Sequence, residues 1–418
     1  MYRSLRSAIP LLLSTVFLLM GSGLLHTLIA VSGDALGFSL VGLGALTAAY
    51  YTGFLAGTFI VPRLTHRIGH IRAFAFCTAI VAVLVLLQAL APSYGLWFVT
   101  RLLQGVLLVG LYTLIESWLN ATQTTHRSAI FTIYMMLNLG AGAAAQQFMT
   151  LDREAFVLFG VIAIMVCVAS LPVVLTRQPE PRIKAIPGVR VRRLYEIVPI
   201  GIVGALISGL LLGALWGLLP VYAYSSGLDA AQVGTYMMVA IGGGVALQWP
   251  LGRLSDCVDR SLALGLVALI AAGVALVNFI AVPVAGCTAY MCVFVLGGLC
   301  FSFYPITVAH VVDYLQREEL LWATGTVLFV HGLGSAIGPL LAGSLMGRAG
   351  ASWLFIWFAV LCALLSAYAL HRYIWKQRQL RNDRHFVPMV QSASIAMDLH
   401  PDTEPQGPYM EDLEAARD

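Results

Sequence analysis

Polar residues are scarce along this chain and gather in short clusters, with apolar runs between them. A bilayer-spanning helix needs about 20 mostly apolar residues. Twelve runs meet that length, at roughly 9–31, 38–61, 73–91, 94–117, 128–149, 155–175, 198–223, 230–251, 262–282, 287–309, 321–346 and 351–373. They are continuously apolar rather than alternating, which predicts helices and excludes a barrel. The first run follows Arg3 and Arg6 but is longer than a signal-peptide core and lacks a small-residue cleavage site, so it reads as a retained helix.

Composition agrees: 59% of the 418 residues are hydrophobic and 11% are charged, against about 25% charged in soluble domains. The few charges are unevenly placed. Numbering loops from the N-terminus, the even-numbered loops and both termini hold twenty-one Lys and Arg residues, and the odd loops hold only Arg153 and Arg348. Cytoplasmic loops collect basic residues, so both termini are expected in the cytoplasm. The Pro- and Arg-rich stretch 177–197 is expected to be a cytoplasmic linker between a six-helix half at 1–176 and another at 198–376. The polar stretch 377–418 is expected to be a disordered tail.

The halves resemble each other. At a shift of 190 residues, Gly37, Gly44, Arg63 and Leu64 fall on Gly227, Gly234, Arg253 and Leu254. At 192, Gly105 falls on Gly297 and Tyr112 on Tyr304, and at 194 "LNLG" (137–140) falls on "HGLG" (331–334). Ordered matches at a nearly constant offset indicate duplication, and two parallel repeats around a midplane site are a transporter architecture.

"GRLSD" (252–256), followed by Asp259 and Arg260, resembles the G-x-L-x-D-R-x-G-R-R segment of the major facilitator superfamily. Its first-half counterpart keeps Arg67 and Gly69 but has Pro62 for the glycine and His66 for the aspartate. "RLLQG" (101–105) is similar to the superfamily's R-x-x-Q-G segment, and "GLGSAIGPLLAG" (332–343) to its Gly-rich GP pattern. "ESWLN" (116–120) and "YPITVAHVVDYL" (304–315) resemble the bacterial YcaD-like branch. The resemblance spans residues 1–375. It implies an all-α integral membrane protein with 12 transmembrane helices in two pseudo-symmetric six-helix bundles.

An arginine within an apolar helix must face the bundle interior or a cavity, which singles out Arg101. Gln104, His26, Asn138, Trp216, Tyr222 and His331 are the other candidates for a substrate cavity or coupling site, with Gln146, Asn278 and His310 behind them. Glu116 is fifteen residues past Arg101, ~22 Å along a helix, and is expected to face Arg63, Arg67 or Arg72. The resemblance implies that Arg63, Arg67, Gly69, Gly252, Asp256 and Arg260 form a cytoplasmic gate with Glu116. In it, Asp256 meets a helix N-terminus of the other half and Arg260 reinforces the contact. Gly105, Gly140, Gly334, Gly338 and Pro339 are expected to serve helix packing.

No deep carboxylate stands in helix 1 or 7, which favours neutral or anionic solutes over cations. No Walker loop and no metal-spaced His/Cys cluster is present. The function expected is secondary transport of a small solute by alternating access, with proton-coupled export as one mode and uncoupled facilitative uptake as the alternative. No cofactor and no nucleic-acid partner is expected. The expected partners are a small-molecule substrate, protons and lipid, with the chain acting as a monomer. A membrane-embedded enzyme or a sensor would need, respectively, a recognisable reactive cluster or a soluble output module, and neither is found in the sequence.

Overall fold

The computed structural model describes residues 2–121, 127–151, 154–175, 188–281, 286–316 and 318–382, without the side chains of 2–8, 120–121, 127–132, 281 and 378–382. The middle of the expected linker and the expected tail lie outside the described residues. The described residues up to Tyr373 pack as one unit; from Ile374 onward the described chain is the remaining turns of the last helix.

In chain order the helices are α1 (Tyr2–Ala35), α2 (Leu40–Ile68), α3 (His70–Leu90), α4 (Tyr94–Ala121), α5 (Arg127–Ala145), α6 (Ala155–Val174) and α7 (Val191–Ile197), then α8 (Pro199–Ser225), α9 (Ala230–Cys257), α10 (Arg260–Ala281), α11 (Cys287–Val312), α12 (Leu320–Ala349) and α13 (Trp353–Asn382). Among the described residues, eleven of them are long and apolar enough to cross a membrane. Where one run at 128–149 was expected, α5 ends at Ala145. It tightens into 3-10 turns over Gln146–Leu151. There the Gln146 amide donates to the Gly142 carbonyl (3.3 Å) and to the Gly23 carbonyl of α1 (3.1 Å), competing with the regular helical bond.

The stretch "VPRLTHRI" is not a loop but the last turns of α2. Only Gly69, at φ +86°, breaks it from α3. That left-handed geometry suits glycine. Apolarity ends where lipid ends, whereas the backbone ladder needs no lipid to continue.

Large apolar side chains such as Leu90, Ile164, Trp249 and Ile280 are exposed, as expected for lipid-facing positions. The most buried spans are α1, α4, α8 and α11. These are equivalent helices of the two repeats, and they surround the centre.

Packing repeats with the sequence. A Cβ on Gly53 would lie 1.9 Å from the Leu102 carbonyl oxygen, and one on Gly105 would lie 2.0 Å from that of Tyr50, fusing α2 to α4. Adding 190 or 192 to these numbers gives Gly243 against Phe294 (1.9 Å) and Gly297 against Ala240 (2.1 Å), which fuse α9 to α11. The seams between halves repeat too. At the face opposite the N-terminus, Gly44 of α2 meets the Pro339 carbonyl of α12, and Gly234 of α9 meets the Gln146 carbonyl beyond α5. Nearer the N-terminal face, Phe59 and Phe329 close the α2–α12 seam at 6.3 Å.

Candidate functional site

Arg101 is 1% exposed and makes no ion pair among the described residues. A buried cation without a counter-charge is costly unless dipoles replace its water. The dipoles are visible. Arg101 donates to Gln104 Oε1 (3.4 Å), Gln104 Nε2 to Gln88 Oε1 (3.0 Å), Gln88 Nε2 to Thr100 Oγ1 (2.8 Å), and Thr100 to the Leu96 carbonyl (2.9 Å). Every group accepts on the guanidinium side and donates away from it. Because arginine has only donors, this direction is fixed. The guanidinium also sits 4.5 Å from the centre of the Tyr50 ring, a cation–π contact.

On its other side, Arg101 Nη2 is 2.9 Å from His26 Nδ1. Arginine must donate, so His26 Nδ1 must be the bare acceptor and the neutral ring carries its proton on Nε2. The His26 ring packs against Tyr50 (4.7 Å), Trp216 (5.9 Å) and Tyr51 (6.3 Å). Trp216 continues to Phe301 at 5.8 Å. Arg101 Nε remains buried without a partner.

The location follows from the duplication. His26 and Trp216 are 190 residues apart and so occupy equivalent places in the two repeats. Two equivalent groups can touch only near the pseudo-two-fold axis relating their repeats. The cluster therefore lies at the centre, between halves, where transporter sites are found. The halves differ there. The 190 and 192 offsets place Ala240, Ile241, Val293 and Leu296 opposite Tyr50, Tyr51, Arg101 and Gln104. One repeat supplies a charged, hydrogen-bonding wall and the other an apolar, aromatic one.

Other candidates sit elsewhere. His331 Nδ1 is 2.9 Å from Ser208 Oγ, which also donates to the Ala205 carbonyl, and the His331 ring lies tilted against Tyr304 at 4.5 Å. Tyr222 packs on Phe355 at 4.7 Å within the second half. Asn138 is half-buried beside Tyr134. Gln88, Tyr50 and Tyr51 were not singled out in sequence. Gln88 carried the signal that marked Gln104, an amide in an apolar run; the tyrosines carried none.

The gate residues depart from expectation. Glu116 does not pair with Arg63, Arg67 or Arg72. It accepts a 2.9 Å bond from the Tyr134 hydroxyl of α5. Arg63 is exposed and turns back to the Phe59 carbonyl of its own helix at 2.7 Å. Arg67 is exposed too. Asp256 does not reach a helix of the other half. Because α9 runs on to Cys257, Asp256 falls in its last turn and pairs with Arg260, four residues on, at 2.9 Å. Arg260 also binds Asp313 at the end of α11. Gly252 has open space where a Cβ would be. The 190 shift places His66 and His70 where Asp256 and Arg260 stand. Instead of an acid clasp, buried His70 lies 5.5 Å from Trp118. Replacing Arg260 by glutamine is expected to cost about 1 kcal/mol per partly exposed pair. Thermal denaturation should show this as a loss of a few degrees that shrinks at high salt. A salt-independent loss would contradict it.

Among the packing candidates, Gly334 and Gly338 bring α12 onto the Leu206 and Leu210 carbonyls of α8, with a built Cβ at 2.4 and 2.3 Å. Gly140 meets nothing within 4 Å, and Gly142 instead approaches Gly23. The contact face of α5 is therefore two residues later than its sequence suggested.

This duplicated bundle with a polar centre is the design of a multi-pass membrane transporter. The family model of the Major Facilitator Superfamily matches residues 11–301 and 201–387. The chain belongs to that superfamily. It is 26% identical over 360 residues to the uncharacterized MFS-type transporter YcaD of Salmonella newport (strain SL254), covering 85% of this chain and 92% of that one. An uncharacterized MFS-type transporter of Yersinia pestis (strain Pestoides F) is 29% identical over 328 residues, covering 76% and 83%. Among solved structures, the nucleoside transporter NupG superposes with a TM-score of 0.73 at 13% identity, over 88% of this chain and 98% of that one. An inward-facing, unoccupied bacterial homologue of the human lysosomal transporter Spinster gives 0.72 at 14%, over 92% and 99%. At these identities the two structures speak for the fold alone.

Proposed function

We propose that this protein is a secondary transporter that carries a small solute by alternating access, with the Arg101–His26–Trp216 cluster as its central site. The supporting observation is the contact of His26 with Trp216, equivalent residues meeting on the axis about which two rigid halves can rock. The glycine seams at the far face and the Phe59–Phe329 contact nearer the N-terminal face are the surfaces that part in turn. In this proposal both termini are cytoplasmic, because the basic residues concentrate on that side, and the membrane is a bacterial inner membrane, because the relatives it resembles are bacterial.

Spin labels at Val41 and Gly347, which meet across the far seam, and at Arg63 and Leu321, exposed near the N-terminal face, test the proposal in full-length protein in nanodiscs. The expected result is two distance populations at each pair, the far pair lengthening where the near pair shortens. One unchanging distance at both pairs under all ligand and pH conditions would sink it.

A further inference from the structure

Resting on that reading, we infer that the ligand of the central site is a monoanion with an apolar ring body, in the simplest form an aromatic monocarboxylate. The charge argument comes first. Arg101 is the single cation in the central cluster, it is 1% exposed, and no acid balances it among the described residues. One uncompensated positive charge suits one negative charge. A dianion would bring a second charge that nothing at the centre neutralises, and a cation would add to a charge already unpaired.

The donors come second. A guanidinium has five N–H groups, and those of one edge, Nε and the adjacent Nη, fit the two oxygens of a carboxylate. The bonds to His26 and Gln104 use one donor on each Nη. The Nε donor is buried and unpartnered, an expensive condition for a polar group. His26, with Nδ1 committed to Arg101, keeps Nε2–H as a further donor. The site therefore offers donors without a competing acceptor of negative charge.

Shape comes third. Opposite the charged wall, the second repeat presents Trp216 and Phe301, whose rings are 5.8 Å apart. Tyr51 and Trp216 are only half-buried, although they flank buried His26. They are the rings that move to admit a ligand to Arg101. A flat hydrocarbon body between aromatic walls gains offset or edge contacts, while its carboxylate meets the fork.

The test is calorimetric titration of the full chain in nanodiscs with benzoate, benzyl alcohol, benzylamine and inorganic phosphate at neutral pH. Benzoate is expected to bind at least tenfold more tightly than each of the other three. The Arg101→Gln variant should lose most of that preference, and Arg101→Lys, which keeps the charge but not the fork, should fall between them. The ligand series on the unaltered chain stands even if a variant fails to fold. Equal or tighter binding of benzyl alcohol, benzylamine or phosphate would overturn the inference, as would benzoate affinity unchanged in Arg101→Gln. If another probe wins while the spin-label pairs still alternate, the ligand class is wrong and the transport reading stands. If the pairs do not alternate, that reading itself has failed.

Discussion

The Arg101→Gln protein should stop transporting while remaining at least as stable as the parent. Both halves of that expectation follow from the cluster. In function, the lost group is the central charge and its hydrogen-bonding fork. Two hydrogen bonds to a charged group, at about 1.5–3 kcal/mol each, together correspond to a factor of at least ~100 at 1.4 kcal/mol per tenfold. Flux of the bound solute into proteoliposomes should fall by that much. In stability, the terms oppose one another. Glutamine removes a buried charge that no carboxylate balances and a donor that has no partner, which favours the variant. It also strips a donor from His26 Nδ1 and from Gln104, at about 1–3 kcal/mol for a buried group left unpaired. Gln104 can recover by turning to the new amide, and His26 can change tautomer. The melting temperature should therefore stay level or rise. Unchanged flux would remove Arg101 from the mechanism. Lost flux with a collapse in melting temperature would make it a structural residue.

How far this could be read in advance varied with the kind of signal. Apolar run length locates membrane helices because bilayer thickness sets a fixed distance, and the helices lie where the runs are. Their ends were less legible. α2 carries "THRI" and α9 carries "LSDC" as helix, and that shift of register puts Asp256 beside Arg260 rather than across the halves. Arg101 was legible because a charge in an apolar run has few places to go. The partner of Glu116 was not. Spacing along a helix gives its height, whereas facing Tyr134 rather than the basic end of α2 depends on the rotation of α4 against α5. The same limit hid Tyr50 and Tyr51, whose aromatic rings read as core until Arg101 and His26 are placed beside them. The duplication proved the more informative signal, since the offset that aligned glycines also aligns the contacts those glycines make.

That equivalence leads to the other large expected effect, on stability. Gly53→Ala and Gly243→Ala should each destabilise the fold strongly, and Gly140→Ala should not. In a helix interior, alanine is favoured over glycine by about 1 kcal/mol, so all three changes begin with a gain. At Gly140 the new methyl meets nothing within 4 Å, and the gain stands. At Gly53 and Gly243 it would lie 1.9 Å from a backbone carbonyl oxygen of the neighbouring helix. A carbonyl held in its own helix cannot rotate away as a side-chain tip can, so the two helices must separate by more than 1 Å. Separation opens gaps along the whole seam, including at Gly105 and Gly297, whose approaches depend on the same spacing. Overpacking of this kind costs about 1–3 kcal/mol and sometimes more, a large part of the roughly 5–15 kcal/mol by which folded proteins are stable. The readout is the monodisperse fraction on size-exclusion chromatography together with the melting temperature. Both should drop for Gly53→Ala and Gly243→Ala, to similar extents because the seams are equivalent, and neither should drop for Gly140→Ala. A large loss in only one of the two repeats would show that the second seam bears less of the fold than its geometry implies. Losses of equal size at all three positions would mean that glycine itself, rather than the contact, is what the helices require.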